Sequence, residues 1–331
     1  MIETPRIALL GCGHWGKNLA RNLHDLGALA LVCDPAEAGR AAATGIAPGV
    51  VTESEFNVAL QSGDIDAVAI ATPAKTHFEL AAAVLNSGKD VFVEKPLALQ
   101  ANEGVELSQL AGARGRILMV GHLLEYHPAV LRLRELIDSG ELGDVNYIYS
   151  NRLNFGKVRT EENALWSFAP HDVAVILRLF GELPAEVTCT GGSYLTPGLA
   201  DVTVSSLGFK SGRRAHIFVS WLNPFKEQKL VVMGERRMAV FKDVAEDKLV
   251  VHDQRVDFED AMPVLKKNGH QSISLSGDEP LRRECEHFIE CIQTRCPPLT
   301  DAESGVRVLR VLEACQASLQ QDGRPVSLNE N

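Results

Sequence analysis

Long hydrophobic runs are missing from these 331 residues, and so is any excess of basic charge. No apolar stretch approaches the roughly 20 residues that a membrane-spanning helix needs. Met1-Ile2-Glu3-Thr4-Pro5-Arg6 lacks the basic region, apolar stretch and small-residue cleavage site of a secretory signal. The expectation is a cytoplasmic protein with no membrane partner. Lys and Arg number 33 against 43 Asp and Glu, a formal net charge of −10. That balance provides no general field for nucleic acid or anionic lipid, so any bound phosphate must be held by a local site. Paired metal-ligand spacing is missing too. The seven cysteines (Cys12, Cys33, Cys189, Cys285, Cys291, Cys296 and Cys315) form no Cys-x-x-Cys, and no His sits at zinc-finger distance. They read as small buried or half-buried thiols, and no metal is expected. Internal repeats and low-complexity tracts are absent, which excludes collagen-like and disordered classes.

What is present is an alternation. Short apolar runs at Ile7–Leu10, Ala30–Cys33, Ala67–Ala71, Val91–Val93 and Ile117–Val120 are separated by helix-like stretches. Those stretches are Lys17–Leu26, Glu53–Gln61, Thr76–Asn86 and Ala101–Ala111. Such a pattern predicts a parallel sheet covered by helices on both faces. Beyond Gly121 the texture changes. After one helix from Pro128 to Asp138, strands are expected at Val145–Leu153, Glu186–Thr190, Thr203–Phe209, Ala215–Trp221, Lys229–Met233, Met238–Phe241 and Lys248–Val251. Period-two alternation there predicts a largely antiparallel sheet with one wet face. Helices at Leu281–Thr294 and Glu303–Gln321 close the chain. At about 100–200 residues per domain, the length fits two: 1–121, and 122–331 as an α+β domain.

Gly11-Cys12-Gly13-His14-Trp15-Gly16 directly follows the first strand and opens the first helix. In that context the glycines permit a tight turn, close approach of a pyrophosphate, and close packing of helix on strand. Anionic phosphates would lie against the helix N-terminus. Asp34 ends the second strand, where a carboxylate accepts from ribose hydroxyls and repels a 2′-phosphate. With only Pro35 and Ala36 following, NAD is expected over NADP. The first domain is thus a doubly wound Rossmann sheet. Thr72 and Pro73 end a later strand on the same edge and are expected near the nicotinamide ribose, with His77 on the first turn of the next helix as either a cofactor contact or a packing or capping residue. Glu94-Lys95-Pro96 ends another, and a lysine at a strand end implies a task or solvent for its ammonium. Pro96 restricts the backbone of Lys95 and admits a cis bond.

This order of glycine fingerprint, Asp34, Thr72-Pro73 and Glu94-Lys95-Pro96 resembles the Gfo/Idh/MocA family of NAD(P)-dependent oxidoreductases over nearly the whole chain. The resemblance implies a sugar, cyclitol or polyol bound against the second domain's sheet. It also implies that Lys95 contacts the reacting hydroxyl and that His171, in Ala169-Pro170-His171-Asp172, is the acid/base. Many relatives carry an aspartate four residues before that histidine. This chain has Ser167, so a lysine–histidine pair is implied rather than a full triad.

Asn151 to Trp166 adds Arg152, Asn154, Lys157, Arg159 and Trp166 just upstream of His171. Such a loop can clamp a diphosphate with cations and bind hydroxyls through amides. Together with Gly121-His122 it resembles the subgroup that oxidises the C3 hydroxyl of UDP-N-acetylglucosamine or its uronic acid. His122 is a further candidate substrate contact, and His127 a weaker one. UDP-N-acetylglucosamine is favoured. The alternatives are its uronic acid, a polyol or inositol, an NAD-dependent glycosidase, and a non-catalytic NAD-binding regulator. Relatives commonly form homodimers or homotetramers, and the same is expected here.

Overall fold

The computed structural model describes residues 3–156 and 158–328. Lys157, one of the expected substrate contacts, lies outside the described residues. The apolar runs of the first third form strands β1 (Ile7–Leu10), β2 (Leu29–Cys33), β3 (Val51–Glu53), β4 (Ala67–Ile70), β5 (Asp90–Glu94) and β6 (Leu118–Gly121). Every pairing among them is parallel, in the order β3-β2-β1-β4-β5-β6. Every residue of β1, β4, β5 and β6 is buried, as a parallel sheet covered on both faces requires. Strand order reverses between β1 and β4, and the carboxyl edge at such a switch point is where open α/β sheets bind ligands.

Helices α1 (Gly16–Asp25), α2 (Glu37–Ile46), α3 (Asn57–Gln61), α4 (His77–Asn86) and α5 (Ala101–Arg114) connect these strands. Two of the elements, α2 and β3, escaped the hydrophobic pattern. The helix is Ala- and Gly-rich, with Ile46 its one large apolar residue, and the three-residue edge strand leaves Val51 57% exposed. The helix expected over Glu53–Gln61 is correspondingly short. Parallel pairing demands a crossover of a dozen or more residues, so topology imposes α2 where local sequence only permits it.

Further along lie α6 (Pro128–Asp138), β7 (Val145–Phe155) and α7 (Ala164–Phe180), then β8 (Pro184–Gly192), β9 (Val202–Phe209) and β10 (Arg214–Ser220). They are followed by β11 (Leu222–Gly234), β12 (Met238–Lys242), β13 (Leu249–Glu259) and β14 (Met262–Ser272). The chain closes with α8 (Pro280–Thr294), α9 (Ala302–Leu319) and β15 (Val326–Ser327). The second sheet runs β14-β13-β12-β11-β7-β10-β9-β8-β15, antiparallel except where β10 lies parallel to β7. Helix α7 packs on β7, β9 and β10. The sequence pattern missed β14, whose Lys266, Lys267, Asn268, Gly269 and His270 carry no apolar alternation; pairing along β13 holds it in the sheet.

The chain divides into two compact units. One comprises the residues up to Tyr126 together with Asp278–Leu309, and the other His127–Gly277 with Arg310 onward. The boundary read from sequence gave everything after 121 to the second domain. Asp278–Leu309 instead joins the first unit, where Phe288 of α8 packs on Phe92 at 5.8 Å and Val120 N–H donates to Thr300 O at 2.8 Å. Amphipathicity shows that α8 has a partner surface but not which one. Among the described residues no helix is long and apolar enough to cross a membrane, and no His, Cys, Asp and Glu cluster has the form of a metal site.

Candidate functional site

In the first unit, the glycine turn is shaped by three different constraints. Gly11 has φ +86°, and a Cβ there would come within 2.9 Å of the Ala71 carbonyl. A Cβ on Gly16 would sit 2.1 Å from the Gly11 carbonyl oxygen, so helix α1 can start this close only with glycine. Gly13 faces open space, with nothing within 4 Å of a built Cβ. These three roles match a cradle for a pyrophosphate at a helix N-terminus. His14 and Trp15 complete the turn, both exposed.

Asp34 follows β2 and is nearly buried. Its Oδ2 accepts the Cys12 N–H at 2.7 Å and its Oδ1 the Ala36 N–H at 2.8 Å. The carboxylate is thereby fixed against the glycine turn. Gly39 makes room for it, since a Cβ there would lie 2.3 Å from the Asp34 carboxyl. Arg40, which the sequence reading passed over, donates to the carbonyls of Asp34 and Pro35 at 2.8 and 2.9 Å. It spends that nitrogen on backbone rather than on an incoming phosphate.

Beyond β4, Thr72 Oγ1 lies 2.8 Å from Thr76 Oγ1, and Thr76 Oγ1 donates to Pro73 O at 2.8 Å. His77 is buried, with Nδ1 2.7 Å from the Pro96 carbonyl and Nε2 2.9 Å from the Thr72 carbonyl. Both ring nitrogens face backbone, so His77 joins the two loop ends, which is the packing role of the two that its sequence position left open. Burial holds its imidazole below the ordinary range, against the opposing pull of those two carbonyls.

Lys95 follows β5 through the predicted position and has a cis bond to Pro96. Glu94 beside it is buried and accepts the Trp15 indole N–H, while its Oε2 accepts the Lys95 backbone N–H at 3.2 Å. Burial raises the Glu94 carboxyl to about 7 despite those bonds. His122 is 2% exposed, and burial together with the neighbouring Lys95 charge lowers it to about 4. It is a neutral ring at ordinary pH. Two further carboxyls, Glu125 and Glu284, are buried, and Glu284 lies close enough to both Glu94 and Glu125 for their charges to interact. Glu284 is raised well above its usual value, first by burial and then by Glu94 and Glu125. The signal for Glu284 was its place on the apolar face of α8, among Leu281, Cys285 and Phe288.

In the second unit, Arg152 on β7 is a correction to the expected diphosphate clamp. Its Nε donates to Asp172 Oδ2 at 2.7 Å and its Nη2 to Asp172 Oδ1 at 3.2 Å. Ser150 Oγ donates to the same Oδ1 at 2.5 Å. Asp172 is 2% exposed, so the guanidinium is engaged in neutralising a buried carboxylate. Asp172 therefore turns into the sheet, away from a triad role. His171, its neighbour on α7, is half-buried. Trp166 is half-buried in the first turn of the same helix, which Asn163 caps by accepting the Trp166 N–H at 3.1 Å. The Asn154 side chain folds over Gly156, its Nδ2 2.5 Å from where a Cβ would stand. Arg159 is half-buried, 3.8 Å from Glu162. His127 caps α6 by accepting the Ala129 N–H at 3.0 Å, with Nε2 3.5 Å from Asp243.

Residues 5–122 match the model of the oxidoreductase family with an NAD-binding Rossmann fold, and residues 130–240 match the GFO/IDH/MocA C-terminal domain. The chain is 26% identical over 321 residues to the UDP-N-acetylglucosamine 3-dehydrogenase of Acidithiobacillus ferrooxidans, spanning 96% of this chain and 99% of that one. A crystal form of that enzyme superposes with TM-score 0.86. The scyllo-inositol 2-dehydrogenase (NAD(+)) of Bacillus subtilis is 27% identical over 346 residues, spanning 99% of this chain and 98% of that protein. An oxidoreductase structure from Magnetospirillum magnetotacticum is 31% identical, with TM-score 0.83, covering 95% of this chain and all of the other.

Proposed function

The chain belongs to the Gfo/Idh/MocA family of NAD-binding oxidoreductases acting on a sugar or polyol CH–OH, and from that premise we propose that it oxidises the C3 hydroxyl of UDP-N-acetylglucosamine. The observation that carries the choice is the full-length match to a UDP-N-acetylglucosamine 3-dehydrogenase, at 96% coverage of this chain. NAD, held by the Gly11–Gly16 turn and Asp34, supplies the hydride acceptor when bound.

In this proposal Lys95 holds the reacting hydroxyl and stabilises negative charge developing on its oxygen. His171 removes the hydroxyl proton. An ordinary imidazole titrates at about 6.5, close to a working pH, whereas a lysine base starts at about 10.4 and needs a shift of several units. Lys95→Met and His171→Asn are each expected to lower kcat at least about 100-fold. Near-normal turnover in both overturns the assignment. The chain is also expected to self-associate, because Phe258, Met262 and Leu265 stand 72, 67 and 66% exposed on the β13–β14 hairpin.

A second reading, oxidation of an inositol or other free polyol, is favoured by Arg152. With that guanidinium committed to Asp172, the expected diphosphate clamp loses one of its cations. A panel of UDP-sugars and inositols with NAD, read by NADH formation and by product mass, separates the two. Turnover of UDP-N-acetylglucosamine with loss of two hydrogens supports the first reading. Turnover of inositols alone replaces it with the second.

A further inference from the structure

At the end of α8 the helix stops at Thr294, and Arg295 takes φ +59°. A left-handed residue at that position reverses the chain, so Cys296 folds back over the last helical turn. Its Sγ comes to rest 3.5 Å from Cys291 Sγ. Cys291 is fully buried, whereas Cys296 is half-exposed. Arg295 and Pro297, on either side of Cys296, line an open cleft of about 410 Å³.

The buried thiol has a base beside it. His287 Nε2 lies 3.5 Å from Cys291 Sγ and also accepts the Leu299 N–H at 3.0 Å. A ring nitrogen that accepts an N–H carries no proton of its own. The ring proton is then on Nδ1, 3.4 Å from Glu290 Oε2. Thiol, imidazole and carboxylate thus stand in sequence along one face of α8. None of them belongs to the cofactor or substrate residues described above.

We propose that Cys291 and Cys296 are a redox-active dithiol that hydrogen peroxide closes to an intramolecular disulfide. Cys296, the accessible member, attacks peroxide as the thiolate. Its sulfur bonds to one oxygen, the O–O bond breaks, and the departing hydroxide takes a proton to become water. The resulting sulfenic acid faces Cys291. Cys291 passes its proton to His287 Nε2, which gives up the Leu299 N–H to receive it, and its sulfur attacks the sulfenyl sulfur. The S–O bond breaks, and the leaving hydroxide takes the proton back from His287. Two thiols and one peroxide give one disulfide and two waters, the thiols losing two electrons to the peroxide. Burial pushes the Cys291 thiol up to about 12, consistent with its reacting second and only with a base at hand. Forming the bond needs the sulfurs to approach by about 1.5 Å, toward a covalent length of about 2.05 Å.

The folded full-length protein is treated with hydrogen peroxide, alkylated in denaturant, digested with trypsin and weighed. Cleavage after Arg295 separates the two cysteines, so the expected product is the peptide Glu284–Arg295 joined to Cys296–Arg307 with loss of two hydrogens. Fragmentation is expected to place the bond on Cys291 rather than Cys285, and dithiothreitol to reverse it. In Cys296→Ser the linkage disappears and Cys291 stays reduced. Unlinked peptides with Cys296 oxidised to sulfinic acid overturn the proposal. So does a bond joining two chains on a non-reducing gel.

Discussion

The indole N–H of Trp15 is bonded to the buried carboxylate of Glu94. This contact links the glycine turn after β1 to the end of β5, where Lys95 begins. Two motifs separated by 79 positions are thereby held as one rim of the parallel sheet. Trp15→Phe leaves Glu94 without its indole donor, and such a loss at a buried acceptor costs about 1–3 kcal/mol. Urea denaturation at neutral pH is expected to show a loss of that size, with NAD binding weakened alongside it. Unchanged stability would make the contact dispensable.

Asp34 is expected to set cofactor choice. Its carboxylate is held at the end of β2 by the Cys12 and Ala36 N–H groups, where it repels a 2′-phosphate. Asp34→Ser should lower the ratio of kcat/KM for NAD over NADP by at least about tenfold, equivalent to about 1.4 kcal/mol. The ratio is the informative quantity, because any general loss of stability affects both cofactors alike.

Arg152→Ala leaves Asp172 buried and uncompensated, which typically costs about 3–5 kcal/mol. Thermal and denaturant unfolding are expected to register that loss. Asp172→Asn added to Arg152→Ala should recover much of it, since the amide carries no charge to strand. A single variant of wild-type stability with a raised KM for UDP-sugars would return Arg152 to the substrate site.

Stability should fall with rising pH on account of Glu284. Its carboxyl titrates at 4.5 ordinarily and is raised well above that in the folded protein by burial. Between the two values the folded state binds more protons than the unfolded one, so each increment of pH favours unfolding. The penalty starts at the unfolded value and grows until the folded carboxyl ionises. Glu284→Gln is expected to flatten this part of the melting-temperature profile. A mutant slope equal to that of the wild type would mean that the carboxyl is not buried as a neutral acid.

The first half of the site was legible in the chain because its signals are local. Gly11, Gly13 and Gly16 answer to backbone geometry within one turn, and Asp34 and Lys95 sit at strand ends that apolar runs define. The strands β1 and β4 follow their apolar runs within a residue, and the helix α6 matches its pattern and its Ser139-Gly140 stop. Distant pairing hid the rest. Arg152 read as a free cation because nothing in its neighbourhood names Asp172, twenty positions later, as its counter-ion. His77 stays open between packing and ligand contact in the sequence, because the two carbonyls it bridges come from separate strand ends. Glu284, Glu125 and Glu94 are remote in sequence, and only the packing of α8 into the first unit buries them near one another. Side-chain type and period are written residue by residue. Which charges neutralise each other, and which thiols touch, depends on contacts that form only when distant segments share a core.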